Sequence, residues 1–263
     1  MPVYALAKIG NDDRGNYAKK MLQKSDVDVE GVSYSQKATS FTDVMSVSAG
    51  QRTFFTYAGA SEDFGYEDIP WDNLSCKMLH LGYFLLLDKI DNGDGIKILA
   101  EAKKRGIVTS IDLVSENSDR YAKILPCLTY VDNLIINEVE AGGFFGIQAT
   151  DDNLVEIAEK LLNAGVREKV IIHTSKKAVC VEREKVTTLN SFELPKDYIK
   201  GSTGAGDAFC SGALIGIYNG YSQEEILNLA QASAVASLSK ADATSGLKEM
   251  SAVLKQVKNY KRK

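Results

Sequence analysis

A chain of 263 residues, 44% of them hydrophobic, can bury one full core, and its 31 basic and 35 acidic side chains leave a formal charge of −4 with no basic stripe for a nucleic acid. No apolar run reaches membrane-spanning length, and Met1 leads into VYALAKI without the basic region or cleavage site of a secretion signal, which points to a cytoplasmic protein with no membrane partner. Cys76, Cys127, Cys180 and Cys210 stand far apart with no CxxC pair, which argues for reduced thiols and against a disulfide framework or a cysteine-held metal.

The apolar run Val3–Ile9 predicts a strand, and Asp13–Lys24 predicts a helix from Tyr17, Ala18, Met21 and Leu22 at helical spacing. Two runs rich in β-branched and aromatic residues follow, Phe41–Ser48 and Thr53–Tyr57, joined by Ala49, Gly50, Gln51 and Arg52. They predict an antiparallel hairpin standing off the main sheet as a flap within residues 32–60.

After Trp71 strand and helix patterns alternate. Lys77–Gly82, Ile107–Leu113, Asn133–Asn137, Lys169–His173 and Ala178–Val181 are the predicted strands. Gly93–Arg105, Tyr121–Leu128 and Asp151–Ala164 are the predicted helices. That order implies an α/β fold, a mostly parallel sheet covered by helices on both faces. The last third is helical: Ala208–Asn219 stops at Gly220, Ser222 with Glu225 makes a capping box for Gln223–Lys240, and a last helix covers Leu247–Val257. The basic run Lys255–Lys263 reads as a solvated tail. No repeat or linker interrupts the chain, so residues 1–263 are expected to form one domain carrying a small β flap.

The chemistry-bearing stretch is KGSTGAGDAF, Lys200–Phe209. Gly201 and Gly206 have the spacing of a phosphate-binding P-loop, but Asp207 and Ala208 stand where that loop needs Lys and Ser or Thr. A dinucleotide fingerprint needs a third glycine where Phe209 stands. What remains is a glycine turn feeding a helix start, where amide donors and the helix dipole attract an anion by ~0.3–1 kcal/mol for an exposed charge. Asp207 beside it is an acceptor suited to holding a hydroxyl and taking its proton, and a weak base suffices for phosphoryl transfer. A tight turn with an acid stabilising a helix start has the same spacing. His80 and His173, at strand ends with no visible partner acid, read as mainly structural, and His173 could line a nucleotide site.

GSTGAGDAFCSGALIGIYNG closely resembles the C-terminal signature of the PfkB, or ribokinase-like, carbohydrate kinases. The resemblance implies Asp207 as catalytic base and Gly204, Ala205 and Gly206 as the anion hole for the transferring phosphate. Asn137 and Glu140, in INEVEA, resemble the NxxE element, implying a role with Mg2+ and the triphosphate of ATP. TSFTDVMSVSAGQRTFFTYAGAS resembles the lid hairpin that closes over the sugar, with Gly59 and Ala60 at its exit, and implies a homodimer paired through the lid. Gln231–Ser239 resembles the helix beside the adenine, which makes Gln231 a nucleotide-binding candidate along with His173 and Ser175 of HTSKKA.

The resemblance spans nearly the whole chain. Val3–Ile9 corresponds to the family's second core strand, so a first core strand ending in a sugar-binding acid, the first lid strands and a GG segment are expected to be missing. HTSKKA stands where the family has TLGxxG, and Gly201 replaces an acid that helps to hold a monovalent cation in relatives. The implied function is transfer of the γ-phosphate of ATP to a hydroxyl of a small sugar. The alternatives are a nucleoside kinase of the same fold and a truncated, catalytically silent nucleotide-binding remnant.

Overall fold

A computed structural model describes residues 1–46, 52–115 and 120–263, and within them the chain divides into two units, Met1–Lys77 with Tyr83–Ile107 and Met78–Gly82 with Val108–Lys263.

In the first unit the predicted strand Val3–Ile9 is split, because the backbone bends between β1 (Val3–Tyr4) and β2 (Ala7–Gly10). Helix α1 (Asp13–Lys24) has the predicted bounds. Its start is set by Asp12, whose carboxylate accepts from the Gly15 amide at 2.8 Å and from the amide and hydroxyl of Thr39 at 2.8 and 2.6 Å. These bonds, led by the Thr39 hydroxyl, hold the Asp12 carboxyl down at about 2. Strand β3 (Val27–Asp28) pairs in parallel with β1, and β4 (Val32–Ser35) with β2.

Strands β5 (Phe41–Ser46) and β6 (Arg52–Tyr57) form the predicted antiparallel hairpin, with Phe41 opposite Tyr57 and Ser46 opposite Arg52. The rest of the predicted hairpin, residues 47–51, lies outside the described residues. Helix α2 (Gly95–Lys104) starts two residues later than predicted, since Gly93 adopts φ +124 in the wide turn before it.

The second unit carries one six-stranded sheet. Its strands are β7 (Met78–Phe84, of which Met78–Gly82 belong here), β8 (Val108–Leu113), β9 (Asn133–Asn137), β10 (Lys169–His173), β11 (Lys177–Glu182) and β12 (Lys185–Asn190), in the order β12-β11-β10-β9-β8-β7. The β8-β9 and β9-β10 pairs are parallel, so Asn137 lies opposite His173, while β11 and β12 return antiparallel. The mixed, mainly α/β character therefore agrees with the expectation. Leu134, Ile135 and Ile136 of β9 and Val170, Ile171 and Ile172 of β10 are buried on both faces, which is why their sequence is a continuous apolar run. Strand β12 carries no apolar pattern in the sequence, because four of its six residues are exposed and KVTTLN is mostly polar.

The predicted helix Tyr121–Leu128 is instead a run of 3₁₀ turns over Arg120–Tyr130: Pro126 has no amide to donate to an α-helical ladder. Helices α3 (Glu138–Gly143) and α4 (Leu154–Asn163) follow. Helices α5 (Ala205–Tyr218) and α6 (Gln223–Leu238) pack tightly against each other, and a Cβ on Gly212 would stand 2.7 Å from Ser233 Oγ. Ser222 and Glu225 make the predicted capping box of α6. Phe209, Cys210 and Ala213 of α5 join Ile226, Leu227 and Ala230 of α6 over Ile135, Ile171 and Cys180 of the sheet.

After α7 (Met250–Val257) the basic C-terminus is not a solvated tail. The Arg262 guanidinium lies 4.3 Å from the Phe192 ring, donates to Asn228 Oδ1 at 2.7 Å and bonds Gln231 Oε1, and the Lys263 amide donates to the Ser191 carbonyl at 2.9 Å. Among the described residues no helix is long and apolar enough to cross a membrane.

Candidate active site

Side chains that end parallel strands gather at one edge of a sheet, the edge at which open α/β sheets bind ligands. Here β8, β9 and β10 bring Asp112, Asn137 and His173 to that edge. Asn137 caps α3: its Oδ1 accepts from the amides of Val139 and Glu140 at 2.9 and 3.0 Å, and Glu140 Oε2 accepts in return from the Asn137 amide at 3.1 Å. The pair is therefore a helix cap, as such residues ordinarily are, but with an addition. Glu140 is only 4% exposed, and its Oε1 accepts from Ser115 Oγ at 2.8 Å and from Asn137 Nδ2 at 2.7 Å. Burial pushes the Glu140 carboxyl up to about 7; the Ser115 and Asn137 bonds oppose the shift and the Asp112 charge adds to it.

The glycine turn feeds α5 as the sequence predicts, although the helix begins at Ala205 rather than Ala208. Gly204 adopts φ +79, and a Cβ there would stand 2.4 Å from the Cβ of Ala243, so both backbone and space demand glycine. Gly206 is different: a Cβ there would meet nothing nearer than His173 Cε1 at 3.9 Å, and it opens on solvent. Ala208 makes the first helical bond, to the Gly204 carbonyl at 2.9 Å. The amides of Ala205, Gly206 and Asp207 thus precede the ladder at the positive end of a 14-residue helix. Asp207 is exposed in that first turn.

One turn further on, Cys210 is buried, and its thiol is pushed well up by burial and then by the charges of Asp112, Asp207 and Glu140. Charges from both the GAGD and the NxxE stretches thus raise the same thiol. His173 closes the group. Its ring lies 4.4 Å from that of Phe209, and burial lowers its pKa to about 4 against the pull of Asp112, leaving a neutral imidazole.

The other two nucleotide candidates lie differently. Ser175 is exposed in the turn after β10, its carbonyl accepting from Lys263 Nζ at 2.9 Å. Gln231 is buried, with Nε2 donating to the Leu189 carbonyl at 3.0 Å and Oε1 taken by Arg262. Its amide is committed inside the protein.

His80, expected to have no partner acid, has one. Its Nε2 lies 3.6 Å from Asp112 Oδ2, and its Nδ1 lies 2.9 Å from Ser110 Oγ. Asp112 and Ser115 were not singled out in the sequence; a polar residue closing an apolar strand, as in VTSIDL, is the signal that could have found the aspartate.

The chain matches the pfkB family carbohydrate kinases over residues 1–250. It is 25% identical over 262 residues to ribokinase of Arabidopsis thaliana, a match that covers 98% of this chain and 68% of that protein. Its fold is shared with 2-dehydro-3-deoxygluconokinase of Thermotoga maritima, at a TM-score of 0.84 and 19% identity over 96% of this chain and 84% of that one. The A. thaliana ribokinase structure, complexed with ribose and ATP, is similar at a TM-score of 0.79 and 22% identity, covering 98% and 82%. The fold is therefore ribokinase-like, as expected, and the chain belongs to the PfkB family of carbohydrate kinases.

Proposed function

We propose that the protein is an ATP-dependent sugar kinase that transfers the γ-phosphoryl group to a hydroxyl of a small carbohydrate. The observation that carries this reading is the open glycine turn at the N-terminus of α5, where Gly204 takes the left-handed conformation, Gly206 faces solvent and Asp207 lies in the first helical turn.

In this reading Asp207 accepts the hydroxyl proton on a carboxylate oxygen as the new P–O bond forms and the bond to ADP breaks. The amides of Gly204, Ala205 and Gly206 hold the phosphoryl oxygens at the positive end of α5, and the openness in front of Gly206 lets an anion approach the backbone. The donor set suits magnesium. Glu140 is a hard oxygen ligand whose burial, with the Asp112 charge adding to it, makes its ionised form favour a bound cation. Asn137 and Glu140 would hold the ion, and when bound it neutralises charge on the triphosphate. His173 and Ser175 line the nucleotide side, His173 as a neutral ring tilted against Phe209.

Residues 32–60 act as the lid that excludes water from the sugar. Met45, Phe54 and Phe55 are exposed on its hairpin, and that apolar surface supports pairing with a second copy. The four free cysteines fit a reducing, cytoplasmic compartment.

The test is Asp207→Asn, assayed with ATP against a panel of pentoses, hexoses and sugar acids. Turnover on the accepted sugar is expected to fall at least ~10²-fold while ATP affinity stays within a few fold. Unchanged turnover would remove Asp207 from its role.

A further inference from the structure

The chemistry proposed above uses hard oxygen ligands, yet one cluster beside them is of another kind. His80, from β7, Asp112, from β8, and Cys210, from α5, converge so that one ligand atom from each lies within 4.8 Å of the other two. His80 Nε2 stands 3.6 Å from Asp112 Oδ2 and 3.8 Å from Cys210 Sγ. In a tetrahedral zinc site, bond lengths of ~2.3 Å to sulfur and ~2.0–2.2 Å to nitrogen and oxygen put ligand atoms about 3.4–3.6 Å apart. Both distances from His80 Nε2 are thus within a few tenths of an ångström of that spacing, and the third, from Asp112 to Cys210, is within 4.8 Å.

The histidine is also oriented for the task. Ser110 Oγ sits 2.9 Å from Nδ1, so an Nδ1–H donated to Ser110 directs the Nε2 lone pair at Asp112 and Cys210, the second-shell arrangement that metal-bound imidazoles use. Two sides of the cluster are unlike. Cys210 is buried in the α5–sheet core, whereas the His80 and Asp112 side chains keep 26% and 16% of their surface exposed, which leaves an approach for an ion and a fourth position for water.

We infer that His80, Asp112 and Cys210 form a binding site for a borderline-soft divalent cation of the zinc class, with three protein ligands and one open position. Sulfur and imidazole select against magnesium, so this site is chemically distinct from the Asn137–Glu140 pair. Binding converts the Cys210 S–H to a metal–thiolate bond, and the proton leaves to solvent. The inference does not depend on the kinase reading, and its test does not use kinase activity.

The experiment takes the untagged full chain, stripped with a chelator, and titrates zinc against a chromophoric competitor, with cobalt(II) as a spectroscopic substitute. One equivalent is expected, together with a sulfur-to-cobalt charge-transfer band. Cys210→Ser should abolish the band, and Cys210→Ser and His80→Gln should each weaken zinc at least ~10²-fold; Ser110→Ala should weaken it ~10–100-fold with the band retained. Circular dichroism verifies that each variant is folded, and His80→Gln, at a partly exposed position, decides the question if the cysteine variant does not fold. Absence of stoichiometric zinc in the folded wild-type chain, or affinity unmoved by His80→Gln, would overturn the site.

Discussion

Strands β9 and β10 and the β5–β6 ribbon are built from the same kinds of residue and end in opposite surroundings. NLIIN and KVIIH lie inside the six-stranded sheet, where Leu134 and Ile171 are fully buried. FTDVMS and RTFFTY form a two-stranded ribbon in which Met45, Phe54 and Phe55 are 62%, 54% and 58% exposed. The ribbon is held by cross-strand pairs, the Phe41 and Tyr57 rings 5.6 Å apart and the Thr42 and Thr56 hydroxyls at 3.0 Å. Each such pair contributes about 0.2–1 kcal/mol, and a lone two-stranded hairpin is marginal in water. Burial is thus conferred by the elements that cover a strand rather than by its own composition. The candidate active site rides on covered strands, which hold its side chains still, and the proposed lid rides on an uncovered ribbon, which is free to present its apolar faces.

Predictions that test this contrast can be ranked by size. The largest effect belongs to the covered strands. Ile171→Ala should destabilise by about 2–5 kcal/mol and lower the thermal midpoint by on the order of 10 °C, read by calorimetry. A loss below ~1 kcal/mol would mean that the sheet is not the rigid frame described.

The next effect lies at the sheet edge and depends on pH. Glu140 titrates near 7 in the folded chain against an ordinary 4.5, so between those values the folded state holds the extra proton and stability falls as pH rises through the window. Above it, the buried carboxylate costs up to about 3 kcal/mol. Glu140→Gln removes that titration, and its thermal midpoint relative to wild type should climb by several degrees between pH 5 and pH 8. Parallel pH profiles would show that Glu140 is not the group responsible.

The smallest effect belongs to the ribbon. Phe55→Ser should change stability by no more than ~0.5 kcal/mol, since the ring is already in solvent, while sedimentation at high concentration should report weaker self-association. A destabilisation comparable with that of Ile171→Ala would erase the contrast.

Legibility in the sequence followed the same divide between local and long-range causes. The bounds of α1 were readable because Asp12 caps it through Gly15, three residues on, and the start of α6 because Ser222 and Glu225 answer each other within one turn. The runs of β9 and β10 were readable because parallel strands covered on both faces need unbroken apolar sequence. GAGD was readable because a left-handed Gly204 and a helix start occupy adjacent residues.

What failed to show was long-range or contextual. Tyr121–Leu128 has helical spacing, but Pro126 withholds an amide and the segment settles into 3₁₀ turns. Arg262 looks like one more surface cation until the fold sets it beside Gln231 and Asn228, some thirty positions earlier in the chain. His80 and Asp112 carry no mutual signal, because neighbouring strands β7 and β8 are joined through a long helical connection.

By itself, then, the sequence determined the order of strands and helices, the caps that start them, the glycine turn with its acid, and the family to which these belong. Each is written in residues a few positions apart, where backbone geometry and short hydrogen bonds act. Only the tertiary structure decided that Asp112 and Cys210 both face His80, that Glu140 is buried deeply enough to titrate near 7, and that Gln231 turns to Arg262. Those outcomes depend on which strand lies beside which and on how much water is excluded between them, quantities that no local stretch of sequence contains.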